Sequence, residues 1–166
     1  ALNGQEIVDT AYGSDELAVP ANSVLTPDQH QYSKDAPGYK QDLETAKKLA
    51  KSSGLEGKTL TYIYNADRAN MEAVATVIQQ QLSQIGVKLS IEGLDSPTFF
   101  SRFFAVGMGT GLENTYDLGS NGWDSGRGSA YQAHFYLNHG LAEKNAWGWS
   151  KEISEKVIKA DATADE

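Results

Sequence analysis

Hydrophobic positions along the chain change their period several times, and each change marks an element. Over residues 4–12, Ile7, Val8 and Ala11 share one helical face, and Gly13 stands where a helix would end. From 13 to 40 the period is lost and Pro20, Pro27 and Pro37 intervene, which predicts a long irregular connection. Helical spacing returns at Leu43, Ala46, Leu49 and Ala50. Asp42 serves as N-cap, Glu44 lies in the first turn, Gly54 ends the helix and Leu55 supplies the apolar contact beyond it. The run TLTYIYN, 59–65, is β-branched and aromatic and predicts a strand. Met71, Val74, Ala75, Ile78, Leu82 and Ile85 then recur at intervals of three and four, predicting a helix over 69–85 that Gly86 stops. Val87, Leu89 and Ile91 alternate as a second strand. Strand, long helix and strand make a βαβ unit, with parallel strands and a right-handed crossover.

Further on, Ser96 can cap a helix with Pro97 at its first position. Phe99, Phe100, Phe103 and Phe104 give that helix an apolar face, and Gly107, Gly109 and Gly111 end it. A strand follows over 116–121, then a short helix or turn over 129–138. The last helix, 151–160, has Ser150 as cap and Ile153, Val157 and Ile158 turned inward. The class is α/β, a mostly parallel sheet flanked by helices. In such open sheets, ligands sit in the crevice beyond the carboxyl ends of the strands. The segment GWDSGRG, 122–128, falls at such an end.

Composition narrows the partners. The 166 residues suit one domain and can bury a core unaided. With 14 Lys plus Arg against 22 Asp plus Glu, the net charge is -8, which opposes binding to nucleic acid or to anionic lipid. The lack of cysteine removes thiol catalysis, disulfides and cysteine zinc sites. No apolar run approaches the ~20 residues of a membrane span. The chain opens on ALNGQEIVDTAYG, a helix already under way, and closes on KADATADE, so an excised domain is expected.

Four chemistries are conceivable at the glycine-rich strand end. GxGxxG does not occur in order, and Gly107, Gly109 and Gly111 follow a helix where a phosphate loop would follow a strand. Asp117 and Asp124 would lie roughly 20 Å apart on an extended segment, too far to share one reacting bond. His134 and His139 are five apart and do not align on a helix face; with His30 they suit surface or capping roles. No GxSxG elbow is present. A binding surface remains. Trp123 offers a flat apolar plate with one donor, Asp124 a charge for an amine or guanidinium, and Gly126 and Gly128 a close backbone approach. Core packing of Trp123 and a turn or cap role for Asp124 are equally good readings.

The order of motifs resembles the C-terminal lobe of extracytoplasmic solute-binding proteins of ABC importers, in the oligopeptide/dipeptide/nickel-binding family. NGQEIVDTAYG is similar to the family's "NR..IV...Y.G" helix, and ELAVPANSVLTP to its "G.A.PA.S..P" crossing. IQQQLSQIGVKLSIEGLD resembles "IQ..L..IGI.V......", YDLGSNGW resembles "FD....GW", and WGWSKEISEKVIKADATAD is similar to "Y.NPE.D.LI.EA....D". The likeness runs in order over nearly the whole chain. It implies one lobe of a type II periplasmic-binding-protein fold, a single partial domain over 1–166 whose strand end faces a cleft between lobes. It also implies a receptor without enzymatic activity or cofactor, monomeric, extracytoplasmic (periplasmic, or a cell-surface lipoprotein in a Gram-positive bacterium), delivering its solute to membrane permease subunits. The implied ligand contacts are Asn121, Gly122, Trp123, Asp124, Ser125 and Arg127. In peptide-binding members an Asp commonly stands three residues after the Trp and pairs with the ligand's amine. Here that position is Gly126, and the acid is Asp124. Peptides are the expected ligand; a sugar or a nickel chelate is the alternative.

Overall fold

Among the described residues three strands form a parallel sheet in the order β2-β1-β3. They are β1 (Thr59–Asn65), β2 (Lys88–Leu94) and β3 (Leu118–Ser120). Among the described residues the helices are α1 (Gly4–Tyr12), α2 (Leu43–Ser52), α3 (Met71–Ser83), α4 (Ser96–Gly107) and α5 (Lys151–Asp161). The computed structural model describes residues 1–14, 16–21, 32–35, 38, 40–107, 115–122 and 150–162, with the backbone alone at 104–107, 153, 157 and 160–161. Two compact units emerge: Ala1–Asn22, Pro37–Phe99 and Thr115–Gly122 in the first; Ser23–Ala36, Phe100–Asn114 and Trp123–Glu166 in the second. Among the described residues no helix is long and apolar enough to cross a membrane.

The first unit is layered. Tyr62, Tyr64 and Leu89 on the sheet pack with Ala75 of α3, and Met71, Ile78 and Leu82 close around them. A second cluster joins Ala50 of α2 to Ile85 and Val87, with Leu43 and Ala46 against it. Helix α1 packs on α3, and there a polar side chain is buried. The Gln81 amide, fully buried, accepts from Asn3 N at 2.9 Å and donates to Glu6 Oε2 at 2.7 Å and to Asn3 O at 3.3 Å. With its carbonyl and amide both bonded, Gln81 avoids the penalty of an unpaired buried polar group.

Several sequence expectations need correction. Leu49 and Leu55 are exposed, since α2 packs through Leu43, Ala46 and Ala50. Helix α3 begins at Met71, two residues later than expected, after Asn70 in the left-handed region at φ 68°. Strand β3 is shorter than 116–121. Asp117 precedes it, donating its N–H to Thr61 O at 2.9 Å and accepting Thr61 N on Oδ2 at 2.8 Å. Ile158 of α5 is exposed. The cap of α4 is Asp95 rather than Ser96: its Oδ1 accepts Thr98 N at 2.9 Å and its Oδ2 accepts the Thr98 hydroxyl at 3.0 Å. Expectations at Pro27, Pro37, Gly109, Gly111 and 129–138 lie outside the described residues.

Asp42 caps α2 in the same way, through Thr45 N at 2.9 Å and the Thr45 hydroxyl at 2.7 Å. Both carboxyls sit below the usual aspartate range, chiefly because the charged form accepts the backbone N–H and then the hydroxyl. A depressed folded-state pKa gives stability that is present above the unfolded value of about 3.9 and is lost as pH falls through the lower folded value. The urea midpoint should therefore drop below pH about 4. An Asp42→Asn, Asp95→Asn double variant should lose less over that range; an identical acid limb in both proteins would count against the caps.

Glycine at 93 has a specific reason. A Cβ there would stand 2.6 Å from the Tyr64 hydroxyl oxygen and 2.8 Å from Cζ, because the two residues are register partners. Burial pushes the Tyr64 phenol above its ordinary range, and the Glu72 charge adds to this. Gly93→Ala should cost about 1–2 kcal/mol, within the range for overpacking. Urea unfolding checks it, and an unchanged midpoint would mean that the ring does not lie over the glycine.

Candidate functional site

At the carboxyl edge of the sheet β1 ends in Asn65 and β3 in Ser120, both polar, while β2 ends in Leu94. Asn65, 1% exposed, closes β1. Its Nδ2 donates to Ser96 Oγ at 3.0 Å, and its Oδ1 accepts from that hydroxyl at 3.1 Å and from Asp67 N at 3.1 Å. Ser96 N in turn donates to Asp67 Oδ2 at 2.7 Å, and Ala66 N to Leu94 O at 2.8 Å. The turn after β1 is thereby tied to the start of α4. This also explains why Ser96 does not cap: its hydroxyl serves Asn65.

Strand β3 leaves the edge through Ser120, Asn121 and Gly122. The Ser120 hydroxyl donates to Met71 Sδ at 3.8 Å. Asn121 Oδ1 is buried without a hydrogen-bond partner among the described residues, and so is the Tyr62 hydroxyl. Burial pushes the Tyr62 phenol up; the Ser120 hydroxyl opposes the shift but falls short of hydrogen-bond geometry. At Gly122 a Cβ would lie 2.7 Å from Arg68 Nη1 and 3.6 Å from Arg68 Cζ. The Arg68 side chain therefore reaches from the turn after β1 across to the exit of β3. Its one signal in the sequence is an arginine three residues past TLTYIYN, which belongs to no local motif.

Of the residues expected to contact ligand, Asn121 and Gly122 stand at this edge, beside Arg68. Trp123, Asp124, Ser125 and Arg127 lie outside the described residues, as do His30, His134 and His139. Asp117 is bound into the ladder with Thr61, which occupies its carboxylate with a backbone N–H. Among the described residues no group of three or more His, Asp and Glu could hold a metal ion.

Residues 1–145 match the family described as bacterial extracellular solute-binding proteins, family 5, middle region. The chain belongs to this family. The oligopeptide-binding protein OppA of Lactococcus lactis subsp. cremoris (strain SK11) is 40% identical over 93 residues, covering 47% of this chain and 16% of that protein. The ABC transporter substrate-binding protein CtaP of Listeria monocytogenes superposes with TM-score 0.77 at 31% identity, covering 99% of this chain and 33% of that one. Helicobacter pylori DppA, solved with the peptide STSA, shares the fold with TM-score 0.76 at 20% identity, covering 99% and 31%. The family-5 chain thus spans about a third of the length of these solved relatives. Its fold is that of one lobe of a type II periplasmic binding protein.

Proposed function

We propose that the chain is the C-terminal, ligand-binding lobe of a bilobal ABC-importer receptor that captures oligopeptides or dipeptides. The observation that carries the peptide reading is the 40% identity to an oligopeptide-binding protein. The polar carboxyl edge of the sheet supports it, because that is where open α/β folds hold ligands. The receptor works outside the cytoplasm as a monomer, performs no chemistry on its cargo and hands it to permease subunits. Ligand closes the two lobes by binding the closed state more tightly.

Trp123 stacks on the ligand, Asp124 takes its amine, and Asn121, Gly122, Ser125 and Arg127 complete the contact. Asp124→Ala in the complete receptor should weaken peptide binding by ~1.5–3 kcal/mol, the worth of a charge-assisted hydrogen bond. Isothermal titration with a defined peptide measures this, and an unchanged Kd would remove Asp124 from the amine site. One observation favours a second reading: Gly126 stands where peptide-binding relatives commonly carry the amine-pairing Asp. In that reading Trp123 and Asp124 hold a sugar or a nickel chelate.

A further inference from the structure

We propose that Asn121–Gly122 is a self-modifying step of the chain. Its side-chain amide converts to aspartate and isoaspartate without an enzyme, while the other Asn–Gly pair, Asn3–Gly4, is kept as the amide by the fold. The modification lies at the carboxyl edge of the sheet but does not depend on what the receptor binds.

The chemistry needs only the two residues and water. The backbone nitrogen that follows the asparagine attacks the side-chain Cγ. An N–Cγ bond forms, the Cγ–Nδ2 bond breaks, and the nitrogen's proton leaves with the amide group as ammonia. Water then opens the cyclic imide at one carbonyl or the other, giving Asp or isoAsp, with no change of oxidation state. Glycine is the most permissive following residue, because it puts no Cβ in the path of attack and lets the backbone reach unusual dihedrals.

The fold treats the two pairs differently. Asn3 is fixed on every side. As N-cap of α1, its Oδ1 accepts Gln5 N at 3.1 Å and Glu6 N at 3.2 Å. Its N donates to Gln81 Oε1 at 2.9 Å, and its O accepts Ile7 N and Gln81 Nε2, both at 3.3 Å. Attack by Gly4 N would break these bonds and the first turn of the helix. Asn121 lies past the ladder between β1 and β3, which closes at Ser120. Its Oδ1 accepts no hydrogen bond among the described residues, so no bond to that oxygen has to break before the amide reacts. Asn121 and Gly122 are only half-buried, which lets water reach them. Arg68 adds a charge. Its Nη1 lies 2.7 Å from the Cβ position of Gly122, beside the peptide nitrogen that must give up its proton, and a nearby cation favours that loss. The carboxylate that results gains a guanidinium neighbour.

The test ages the freshly purified complete receptor in mildly alkaline, low-salt buffer. Peptide mapping with fragment-ion sequencing reads the acid formed at residues 3 and 121, and isoaspartyl methyltransferase labelling reads the isoAsp share. Residue 121 should convert at least roughly tenfold faster than residue 3, whose barrier includes the hydrogen bonds it must break. In urea the two rates should converge, since glycine follows both. R68Q should slow conversion at 121 severalfold in the folded receptor and leave residue 3 as it was. G122A should hold residue 121 as the amide, folded or in urea. Equal rates at the two residues in the folded receptor overturn the proposal, and so does a residue 121 that converts only in urea. A rate at 121 that R68Q leaves unchanged overturns the part given to Arg68.

Discussion

Ile63→Ala is expected to lower the unfolding free energy by about 2–5 kcal/mol, towards the upper half of that range. Ile63 is fully buried in the middle of β1, the strand that both others pair with. Its register partners are Glu92 on β2 and Gly119 on β3. Paired residues on adjacent strands point to the same face, so the neighbour on one side has no side chain with which to fill the cavity. Restricted collapse is what separates expensive truncations from cheap ones. Ile63→Val, which removes one methylene, should cost about 0.5–1.5 kcal/mol and serves as the calibrating variant. Urea unfolding of all three proteins measures both differences. A cost for Ala no larger than that for Val would mean that the site repacks freely, against the packing around β1.

Asn65→Leu is the second large effect, about 2–4 kcal/mol from unpaired polar groups. Leucine has the same branched shape as asparagine, with methyl groups in place of the amide. Ser96 Oγ would lose both its acceptor and its donor, and Asp67 N would lose its acceptor. The same amide holds the turn whose Arg68 lies over Gly122, an expected ligand contact, so ligand affinity in the complete receptor should fall along with stability. Unfolding and binding measured on the same variant test the two consequences together. If stability falls and affinity is untouched, the turn keeps its shape without Asn65.

The elements that were legible in the sequence are those whose pattern is set by one contact face. Strand β1 runs from Thr59 to Asn65 as its β-branched and aromatic run predicts, and Asp42 caps α2 through Thr45. The parallel pairing of β1 with β2 follows from the βαβ order. Apolar spacing alone does not tell which of its residues lie on the contact face. At 3.6 residues per turn, Leu49 is turned about 100° from its neighbour Ala50, off the face that meets Ile85 and Val87. Gln81 was unreadable for the opposite reason. A glutamine amid apolar spacing suggests a solvent face, but α1 covers that side of α3 and Asn3 supplies the hydrogen bonds. Asp95 and Ser96 are both good N-caps by type, and only the tertiary bond from Ser96 to Asn65 decides between them.

The candidate site was half legible. The rule that ligands gather beyond the carboxyl ends of strands placed 121–122 at the edge where they are found. Arg68 is separated from Gly122 by more than fifty residues of sequence, and no local motif links them. Their proximity follows from the parallel pairing of β1 with β3, which brings the two strand ends side by side.

Native mass spectrometry of the complete receptor, purified gently enough to keep what it bound in the cell, tests the central claim most directly. A peptide receptor with loose side-chain selection should carry a ladder of added masses that fragment into amino acids. A single sharp non-peptide mass would contradict the peptide assignment and make Trp123 and Asp124 contacts for that solute.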